Sequence, residues 1–335
     1  MAELTESKVP VPHLAGGVLV TGAAGFVGRQ LCTRLYEAGL RVHAVSRRPV
    51  GGLSSIGVRV FEIGDVAAFR NWKEAFVGID TVIHLAGRAH VLRESAADPR
   101  SLYFHNNVDA TKSVARGAIE CGARQFIFMS TAKVFGDHPL AGPLRPSHPT
   151  FPSDDYGRSK LEAERWLLSM GQPQGLEVAI VRPPLIYGPE VRANFLRLMG
   201  WVERGIPLPL ARLANLRSLV NVWNLNDFVI RLIEKRDTAP GVWHVSDGED
   251  ISTSHLIEEI ARHMSRSARL FTVPKSLMRW LLSVAGRRAE YDRLFGSLQL
   301  DVTDTIAKLA WHPAVSTREG VGRTVRWYLE QRGRH

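Results

Sequence analysis

The feature that most constrains this chain is a glycine-rich turn between an apolar run and a helical pattern. The apolar residues Val18–Val20 predict a buried strand, and the glycines that follow stand three residues apart. From Arg29 apolar residues recur at helical spacing, and Gly39 marks the end of that helix. A strand, a glycine turn and a helix present backbone N–H groups and a positive helix end to a pyrophosphate. We therefore expect a dinucleotide to bind here, with contacts from Gly22, Gly25, Phe26, Val27 and Gly28.

Strand and helix patterns alternate through the first half of the chain. Further strands are predicted at Arg41–Val45, Arg59–Ile63, Thr81–Ala86, Gln125–Ser130 and Val178–Arg182, and the longest helices at Ser101–Glu120 and Asp155–Met170. This alternation predicts an α/β fold, a Rossmann-type doubly wound parallel sheet that binds ligands at the carboxyl ends of its strands. We expect residues 15–181, with about 219–248, to form this domain. Residues 182–218 and 249–335 are expected to form a smaller, mostly helical lobe.

Composition narrows the function classes. The formal net charge is +10, but the basic residues are scattered and form no run longer than Arg47-Arg48, so a diffuse field suits an anionic small molecule better than nucleic acid. No apolar run has the length of a signal core or a membrane span, which predicts a cytoplasmic protein without stable membrane insertion. Cys32, Cys121 and the histidines lack metal-ligand spacing, so no metal is predicted.

The end of the second predicted strand bears on the choice of dinucleotide. NAD sites usually place a carboxylate there, roughly 20 residues past the glycines, to bind the ribose hydroxyls. Here Ser46 and Arg47 occupy that place, and a guanidinium fits a 2′-phosphate, so NADP(H) is favoured and NAD(H) stays possible. The alternative is that Arg47 is a solvated surface residue. Asp65, followed by Val66, either meets the adenine amine or caps a helix, and both interpretations stay open.

Two further stretches carry residues suited to acid–base chemistry. Tyr156 and Lys160 stand four residues apart, on one face of a predicted helix, where the ammonium favours the phenolate form of the tyrosine. Ser130 and Thr131 close the fifth predicted strand, where a hydroxyl can bind a substrate oxygen beside the tyrosine. Asn107 in the preceding helix is either part of this site or a polar residue on an exposed face.

These motifs together resemble an extended short-chain dehydrogenase/reductase of the nucleotide-sugar epimerase/dehydratase type. The resemblance implies that Thr131, Tyr156 and Lys160 are catalytic. It also implies that the dinucleotide is bound by the glycine turn and by Ser46, Arg47, Asp65, Val66, Leu85, Ala86, Gly87, Asn107, Tyr156, Lys160 and Pro183. Family dehydratases carry Asp-Glu after the threonine. Here Ala132 and Lys133 follow it, so the acid and base that elimination needs are missing and a dehydratase is disfavoured.

Segments around Thr131, Arg182–Pro189, Asn194, Arg217 and Gly296–Asp301 are similar to one subgroup of that family. Its members are often labelled UDP-glucose 4-epimerases, and some are NADPH-dependent 4-ketoreductases that form UDP-N-acetylquinovosamine for bacterial surface polysaccharides. The resemblance implies a UDP-sugar substrate in the smaller lobe, a homodimer formed by the two long helices, and Tyr156 as proton donor. The implied substrate contacts are Ser130, Thr131, Lys133, Asn194, Arg217 and Arg293. Phe135, where many relatives carry a tyrosine, is expected to have a packing role.

Two alternatives to a 4-ketoreductase stay open at this point. One is an NAD-dependent UDP-hexose 4-epimerase, and a more remote one is a regulator that binds NADP without chemistry. The presence of Thr131, Tyr156 and Lys160 favours an enzyme over the regulator. Among the implied substrate contacts, Arg293 is also consistent with a surface residue. Residues 273–288 form a basic amphipathic stretch, which we expect to pack into the smaller lobe although it would also suit a membrane surface.

Overall fold

A computed structural model describes residues 16–89, 98–136, 142–274, 276–278, 283 and 295–333. The predicted substrate contact Arg293 and most of the basic stretch 273–288 lie outside these residues. The described chain falls into two compact units. The first comprises residues up to Ser130 with Ser159–Ile180 and Val229–Gly241, and the second comprises Thr131–Arg158, Val181–Phe228 and the residues from Val242 onward.

The strands and helices of the first half follow the predicted alternation. The strands are β1 (Gly17–Thr21), β2 (Val42–Ser46), β3 (Arg59–Glu62), β4 (Ile79–His84), β5 (Gln125–Met129) and β6 (Glu177–Arg182). The helices are α1 (Phe26–Glu37), α2 (Pro99–Phe104), α3 (Ala110–Glu120) and α4 (Asp155–Gly171). Each predicted strand of this half is therefore present, with ends within about two residues of the prediction.

The second half contributes shorter strands and several helices. Its strands are β7 (Leu185–Tyr187), β8 (Arg217–Asn221), β9 (Gly241–His244) and β10 (Asp250–Ile251). Its helices are α5 (Ala193–Glu203), α6 (Val222–Glu234), α7 (Thr253–His263), α8 (Thr303–Leu309) and α9 (Thr317–Arg332). In the second unit β7, β8 and β10 form a small sheet in the order β10-β8-β7, with β7 parallel and β10 antiparallel to β8.

A seven-stranded sheet in the order β3-β2-β1-β4-β5-β6-β9 organises the fold. Strand β1 lies parallel to β2 on one side and to β4 on the other, with Val18 opposite Val42 and Val20 opposite Ile83. The chain winds outward in opposite directions from this point, so the loops after β1 and β4 diverge and leave a crevice. The predicted Rossmann-type sheet is confirmed, and its switch point lies directly after Thr21.

Burial explains why these sequences form these elements. All five residues of β1 are buried, as expected of a central strand covered on both faces. Helix α1 presents Leu31, Cys32 and Leu35 to the interior, and each is fully buried. Burying such a leucine contributes about 1.5–3 kcal/mol, so the amphipathic spacing that predicted α1 also fixes which face meets the sheet.

The predicted single helix Ser101–Glu120 is wrong in its middle. Asp98 caps α2 by accepting a hydrogen bond from Ser101 N at 3.0 Å, and a π-helical turn, His105–Asp109, then separates α2 from α3. The turn adds one residue to the helical repeat, so consecutive side chains face directions that a regular helix would not give them. This interruption determines where three polar side chains of the candidate site point.

Within the described residues, no helix is both long enough and apolar enough to span a bilayer.

Candidate functional site

The glycine turn of the first unit has a shape that side chains would obstruct. Gly22 has φ +71°, and a Cβ there would lie 2.7 Å from the backbone nitrogen of Ala86. A Cβ at Gly28 would collide with the carbonyl oxygen of Gly22, so both glycines are needed for the turn to pass close to its neighbours. Gly25 is the N-cap of α1, and no side chain caps this end and no acid lies in its first turn. The helix end therefore fits a pyrophosphate.

The end of β2 carries the basic residues expected from sequence. Arg47 is exposed, and its guanidinium donates to Asn106 Oδ1 at 3.5 Å. Ser46 is buried, and its hydroxyl donates to the carbonyl oxygen of Arg48. No carboxylate follows Ser46 before Pro49. The end of β2 is therefore followed by an exposed cationic side chain, where NAD sites usually carry a carboxylate.

Asp65 has two partners inside the protein. Its Oδ1 accepts a hydrogen bond from Ala67 N at 3.0 Å, and its Oδ2 lies 2.8 Å from Nε2 of His105. The hydrogen bond from His105 holds the pKa of the Asp65 carboxyl below its ordinary value. Asp65 therefore caps a local turn and not a helix. Its contact with adenine stays a prediction. Sequence reasoning missed both His105 and Asn106, because the π-helical turn that aims them is not visible in the apolar spacing.

The loop after β4 packs tightly against Asn107. A Cβ added at Gly87 would lie 2.7 Å from Asn107 Oδ1 and 3.9 Å from Lys160 Nζ. Asn107 is fully buried, accepts from Arg88 N at 2.7 Å and donates to Ser159 Oγ at 2.8 Å. The alternative of an exposed Asn107 is therefore wrong. Its amide ties the loop carrying Leu85, Ala86 and Gly87 to the helix that carries Lys160.

Lys160 lies in an almost dry environment. It is 4% exposed, and its ammonium stands 4.0 Å from the centre of the Phe128 ring on β5. Burial lowers the pKa of Lys160 to about 7, although the negative charge of Glu164 acts in the opposite direction. Tyr156 precedes Lys160 by one turn of α4 and is partly exposed. The helix thus presents the phenol of Tyr156 and the amine of Lys160. Burial has brought the pKa of the amine into the neutral range.

Ser130 has an internal partner that the sequence prediction did not include. Its side chain is buried, and its hydroxyl donates to the carboxylate of Glu164 on α4. The hydroxyl therefore serves a contact inside the first unit, and a substrate contact by Ser130 stays a prediction. Glu164 follows Lys160 by four residues, so the spacing Tyr156, Lys160, Glu164 along one helix face was a signal that sequence reasoning could have used.

Thr131 is the first residue of the second unit after β5. Its backbone is extended, and its Oγ1 accepts from Lys133 N at 3.2 Å, which caps the short 3₁₀ turn Ala132–Phe135. Because this hydroxyl accepts from the backbone, its own hydrogen is directed elsewhere. The amine of Lys133 forms an ion pair with Asp154 Oδ2 at 2.6 Å. Lys133 therefore has an internal partner, and its predicted substrate contact is not tested by this arrangement.

Phe135, Pro183, Arg217 and Asn194 are the other residues of the second unit that the sequence singled out. Phe135 is buried with the Arg182 guanidinium 5.1 Å from its ring centre, which confirms its packing role. The carbonyl of Pro183 accepts from Ala132 N at 2.8 Å. Arg217 begins β8 and donates to the carbonyl of Gly296 at 3.1 Å, while Asn194 is exposed in the first turn of α5.

The described residues contain no group of three or more histidine, cysteine, aspartate or glutamate side chains arranged to hold a metal ion. What they contain instead is a glycine turn at a switch point and a helix carrying tyrosine and lysine. A Rossmann-type sheet with those two features defines a dinucleotide-dependent enzyme of the short-chain dehydrogenase/reductase class.

Comparison with known proteins narrows this class to a family. Residues 18–246 match the model of the NAD dependent epimerase/dehydratase family, and the chain belongs to that family. It is 36% identical over 320 residues to a UDP-glucose 4-epimerase of Vibrio cholerae, covering 95% of this chain and 97% of the relative. It is 27% identical over 262 residues to the N-acetyl-alpha-D-glucosaminyl-diphospho-ditrans,octacis-undecaprenol 4-epimerase of Escherichia coli O157:H7, covering 78% and 76% of the two chains.

A solved structure extends the similarity to three dimensions. MoeE5 in complex with UDP-glucose and NAD superposes with a TM-score of 0.76 at 26% identity, covering 94% of this chain and 99% of MoeE5. This chain is therefore an enzyme of the nucleotide-sugar epimerase/dehydratase type.

Proposed function

We propose that this protein uses NADPH to reduce the C4 ketone of a UDP-4-keto-6-deoxy-N-acetylhexosamine to a UDP-6-deoxy sugar of the UDP-N-acetylquinovosamine type, in bacterial surface-polysaccharide synthesis. The observation that carries the proposal is the pair Tyr156 and Lys160 on α4, combined with Ala132 and Lys133 after Thr131. The first pair supports hydride chemistry at an alcohol or ketone. The second pair lacks the acid and base of a dehydratase.

Each residue of this set has a separate task in the proposed reaction. A bound dinucleotide would provide the hydride that C4 receives. Tyr156 gives its phenolic proton to the C4 oxygen, so the ketone gains two hydrogens and becomes an alcohol. Thr131 donates a hydrogen bond to that oxygen with the hydrogen that its capping bond leaves available. Lys160 stabilises the phenolate that forms, because its ammonium stands one turn away on the same helix. The pyrophosphate would lie at the N-terminus of α1, over Gly25.

Arg47 supports NADP(H) over NAD(H). A 2′-phosphate would replace Asn106 as the partner of this exposed guanidinium, and a charge-assisted bond of this kind contributes about 1.5–3 kcal/mol. We expect Arg47→Asp to weaken NADPH binding by roughly 10-fold to 100-fold and to leave NADH binding nearly unchanged. Fluorescence titration of both dinucleotides measures this. Equal affinity of the wild-type protein for the two would contradict the preference.

We propose that the UDP group binds to the second unit. Arg217, at the start of β8, and Asn194, in the first turn of α5, are the proposed contacts for the diphosphate and the uridine, and Lys133 is proposed for the sugar. A guanidinium is suited to a diphosphate because it presents several donors in one plane.

A homodimer formed through α3 and α4 is proposed for the assembly. Lys112 and Arg116 of α3 lie about 6 Å from the Trp166 ring of α4 (6.0 and 5.9 Å), and Leu168 of α4 is 44% exposed. Trp166 is partly exposed, and a helix face with an exposed leucine and a partly exposed aromatic ring supports packing against a second copy.

A 4-epimerase acting on a UDP-hexose is the second candidate. The Vibrio cholerae relative named as a UDP-glucose 4-epimerase, at 36% identity over nearly the whole chain, favours it. An epimerase returns the same hydride and retains its dinucleotide, whereas a reductase exchanges a spent one.

The two candidates are separated by supplying NADPH with UDP-4-keto-6-deoxy-N-acetylglucosamine, and in a second reaction UDP-N-acetylglucosamine without added dinucleotide. The proposal expects one NADPH to be consumed for each keto sugar, and no turnover in the second reaction. Formation of UDP-N-acetylgalactosamine in the second reaction, with no NADPH consumption in the first, would establish the epimerase instead.

A further inference from the structure

The buried carboxylate of Glu164 has no role in the proposed reaction. It is 1% exposed, and it lies on α4 one turn beyond Lys160. The hydroxyl of Ser130, directly after β5, donates a hydrogen bond to it. Burying a carboxylate destabilises a folded protein unless an opposite charge or hydrogen bonds compensate for the lost hydration. The groups around Glu164 therefore indicate what its carboxylate does.

Lys160 provides the opposite charge. It is nearly as buried as Glu164, and the spacing of four residues puts both side chains on one face of α4. The Phe128 ring on β5, 4.0 Å from the ammonium, offers a cation–π contact but carries no charge. A lysine among an aromatic ring and backbone loses its proton more readily than one in water, so the charge of the ammonium depends on what faces it.

The other titratable groups around Lys160 do not supply a negative charge at neutral pH. His84 on β4 stacks against the same Phe128 ring, and burial together with the charge of Lys160 lowers the pKa of His84 to about 3. It is therefore neutral when the enzyme works. Tyr156, one turn earlier on α4, is a phenol when it acts as proton donor. Among the described residues, Glu164 is the one whose negative charge raises the pKa of Lys160 against the effect of burial.

We propose that Glu164 is a positioning residue that keeps the Lys160 ammonium charged, and that Ser130 fixes the Glu164 carboxylate in place for this purpose. The inference rests on the proposed function in one respect, since the charge of Lys160 matters to the reaction through Tyr156. Ser130 thereby acts on Lys160 through Glu164. Glu164, Lys160 and Tyr156 follow one another along α4 at intervals of one turn.

The alternative is that Glu164 has only a structural role, in which its hydrogen bond with Ser130 links the end of β5 to α4. The two roles respond differently to Glu164→Gln. Glutamine has nearly the same volume and can accept the same hydrogen bond from Ser130, so a structural link survives it. The substitution removes the negative charge, so it abolishes a role that depends on holding the Lys160 ammonium charged. Glu162→Gln is the matched control, because Glu162 lies on the same helix, two residues from Lys160, and is exposed.

The experiment follows the Lys160 side chain by NMR in full-length protein labelled with ¹³C-lysine, with the signal assigned from Lys160→Met. In Glu164→Gln we expect the Lys160 pKa to fall by about one unit or more below wild type, and in Glu162→Gln by less than about 0.3 unit. The high-pH limb of kcat/KM should move to lower pH by a similar amount in Glu164→Gln. A Lys160 titration in folded Glu164→Gln that matches the control would overturn the inference.

If Glu164→Gln does not fold, Glu164→Asp retains the charge but withdraws it by about one methylene, and a Lys160 pKa that is not lower than wild type then contradicts the proposal. The NMR titration requires no substrate. An inactive reductase assay with a shifted Lys160 titration would reject the proposed function and leave this inference standing, and an active enzyme with an unshifted Lys160 would do the reverse.

Discussion

Tyr156 is the residue on which the proposed chemistry depends most directly. It is partly exposed on α4, whereas Lys160, one turn later, is almost completely buried. We expect Tyr156→Phe to lower kcat by about 10²-fold to 10⁴-fold, because proton transfer by a positioned side chain contributes an acceleration of this size. Dinucleotide affinity should remain within about threefold of wild type, because the change removes one hydroxyl from the expected contacts and leaves the glycine turn intact. Steady-state kinetics and cofactor titration measure the two effects. A kcat within tenfold of wild type would remove Tyr156 from its proposed role.

Residue roles were predicted unevenly from the sequence. The spacing of Tyr156 and Lys160 is a local property of a helix, so it was visible. The direction of Ser130 was not, because a strand end fixes only which face a side chain takes, and the buried Glu164 carboxylate that attracts the hydroxyl comes from a distant helix. Asn107 was left open between buried and exposed, and its hydrogen bonds to Arg88 and Ser159 decide for buried.

At the scale of single elements, the glycine turn makes the sharpest prediction. A methyl group at Gly28 would collide with the backbone oxygen of Gly22, and backbone cannot move aside as a flexible side chain can. We expect Gly28→Ala to destabilise the protein by about 1–3 kcal/mol and to weaken dinucleotide binding. Gly51→Ala is the control, because no atom lies within 4 Å of a Cβ at that position. Its free energy of unfolding should change by less than about 0.5 kcal/mol. Urea unfolding of both variants provides the comparison, and equal stabilities would show that the turn tolerates a side chain.

The helix between β4 and β5 shows where element prediction fails. Apolar spacing predicted one helix over Ser101–Glu120, and the π-helical turn His105–Asp109 divides it. Within that turn His105 faces Asp65, Asn106 faces Arg47 and Asn107 faces Arg88. Each partner lies on a different loop at a strand end, so tertiary contacts specify the turn and the local sequence does not. The short strands β7 and β10 were likewise missed, because two or three residues give too little periodicity.

For the whole molecule, two fully buried histidines, one in each unit, predict sensitivity to acid. Burial lowers the pKa of His84 to about 3, and burial together with the charge of Arg182 lowers that of His244 to about 4. An unfolded histidine binds its proton near pH 6.5, so below that pH the unfolded chain takes up protons that the folded chain does not. Stability therefore falls as the pH is lowered, and at pH 5 the loss is about 2 kcal/mol for each histidine.

His84→Asn tests this account, because it removes one titrating group and keeps an amide near the position that bonds Thr21. The difference in unfolding free energy between pH 7.5 and pH 5 should be smaller in the variant by about 2 kcal/mol. Guanidinium unfolding at the two pH values gives that difference. A loss of stability that the substitution causes equally at both pH values does not affect it. An unchanged difference would show that His84 is protonated in the folded protein at pH 5.

The overall architecture was the part most accessible from sequence. Strand and helix patterns alternate with the right spacing, and parallel sheets with right-handed crossovers leave few ways to arrange them. The observed order β3-β2-β1-β4-β5-β6-β9 follows from those rules. The division into units was less accessible, since Thr131–Arg158 groups with the second unit although it directly follows β5. Sequence patterns report which residues are apolar, but not which packed body they join.

The central claim is that hydride moves from an exchangeable NADPH to C4 of a UDP-keto sugar while Tyr156 supplies the proton. The most direct measurement is a reaction of the enzyme with UDP-4-keto-6-deoxy-N-acetylglucosamine and NADPH deuterated at the transferable position of the nicotinamide, followed by NMR of the sugar product. We expect one deuterium at C4 of a 6-deoxy sugar, in equal amount to the NADPH consumed, and at least a hundredfold slower incorporation with Tyr156→Phe. Unlabelled products, or interconversion of C4 epimers without consumption of NADPH, would contradict the claim.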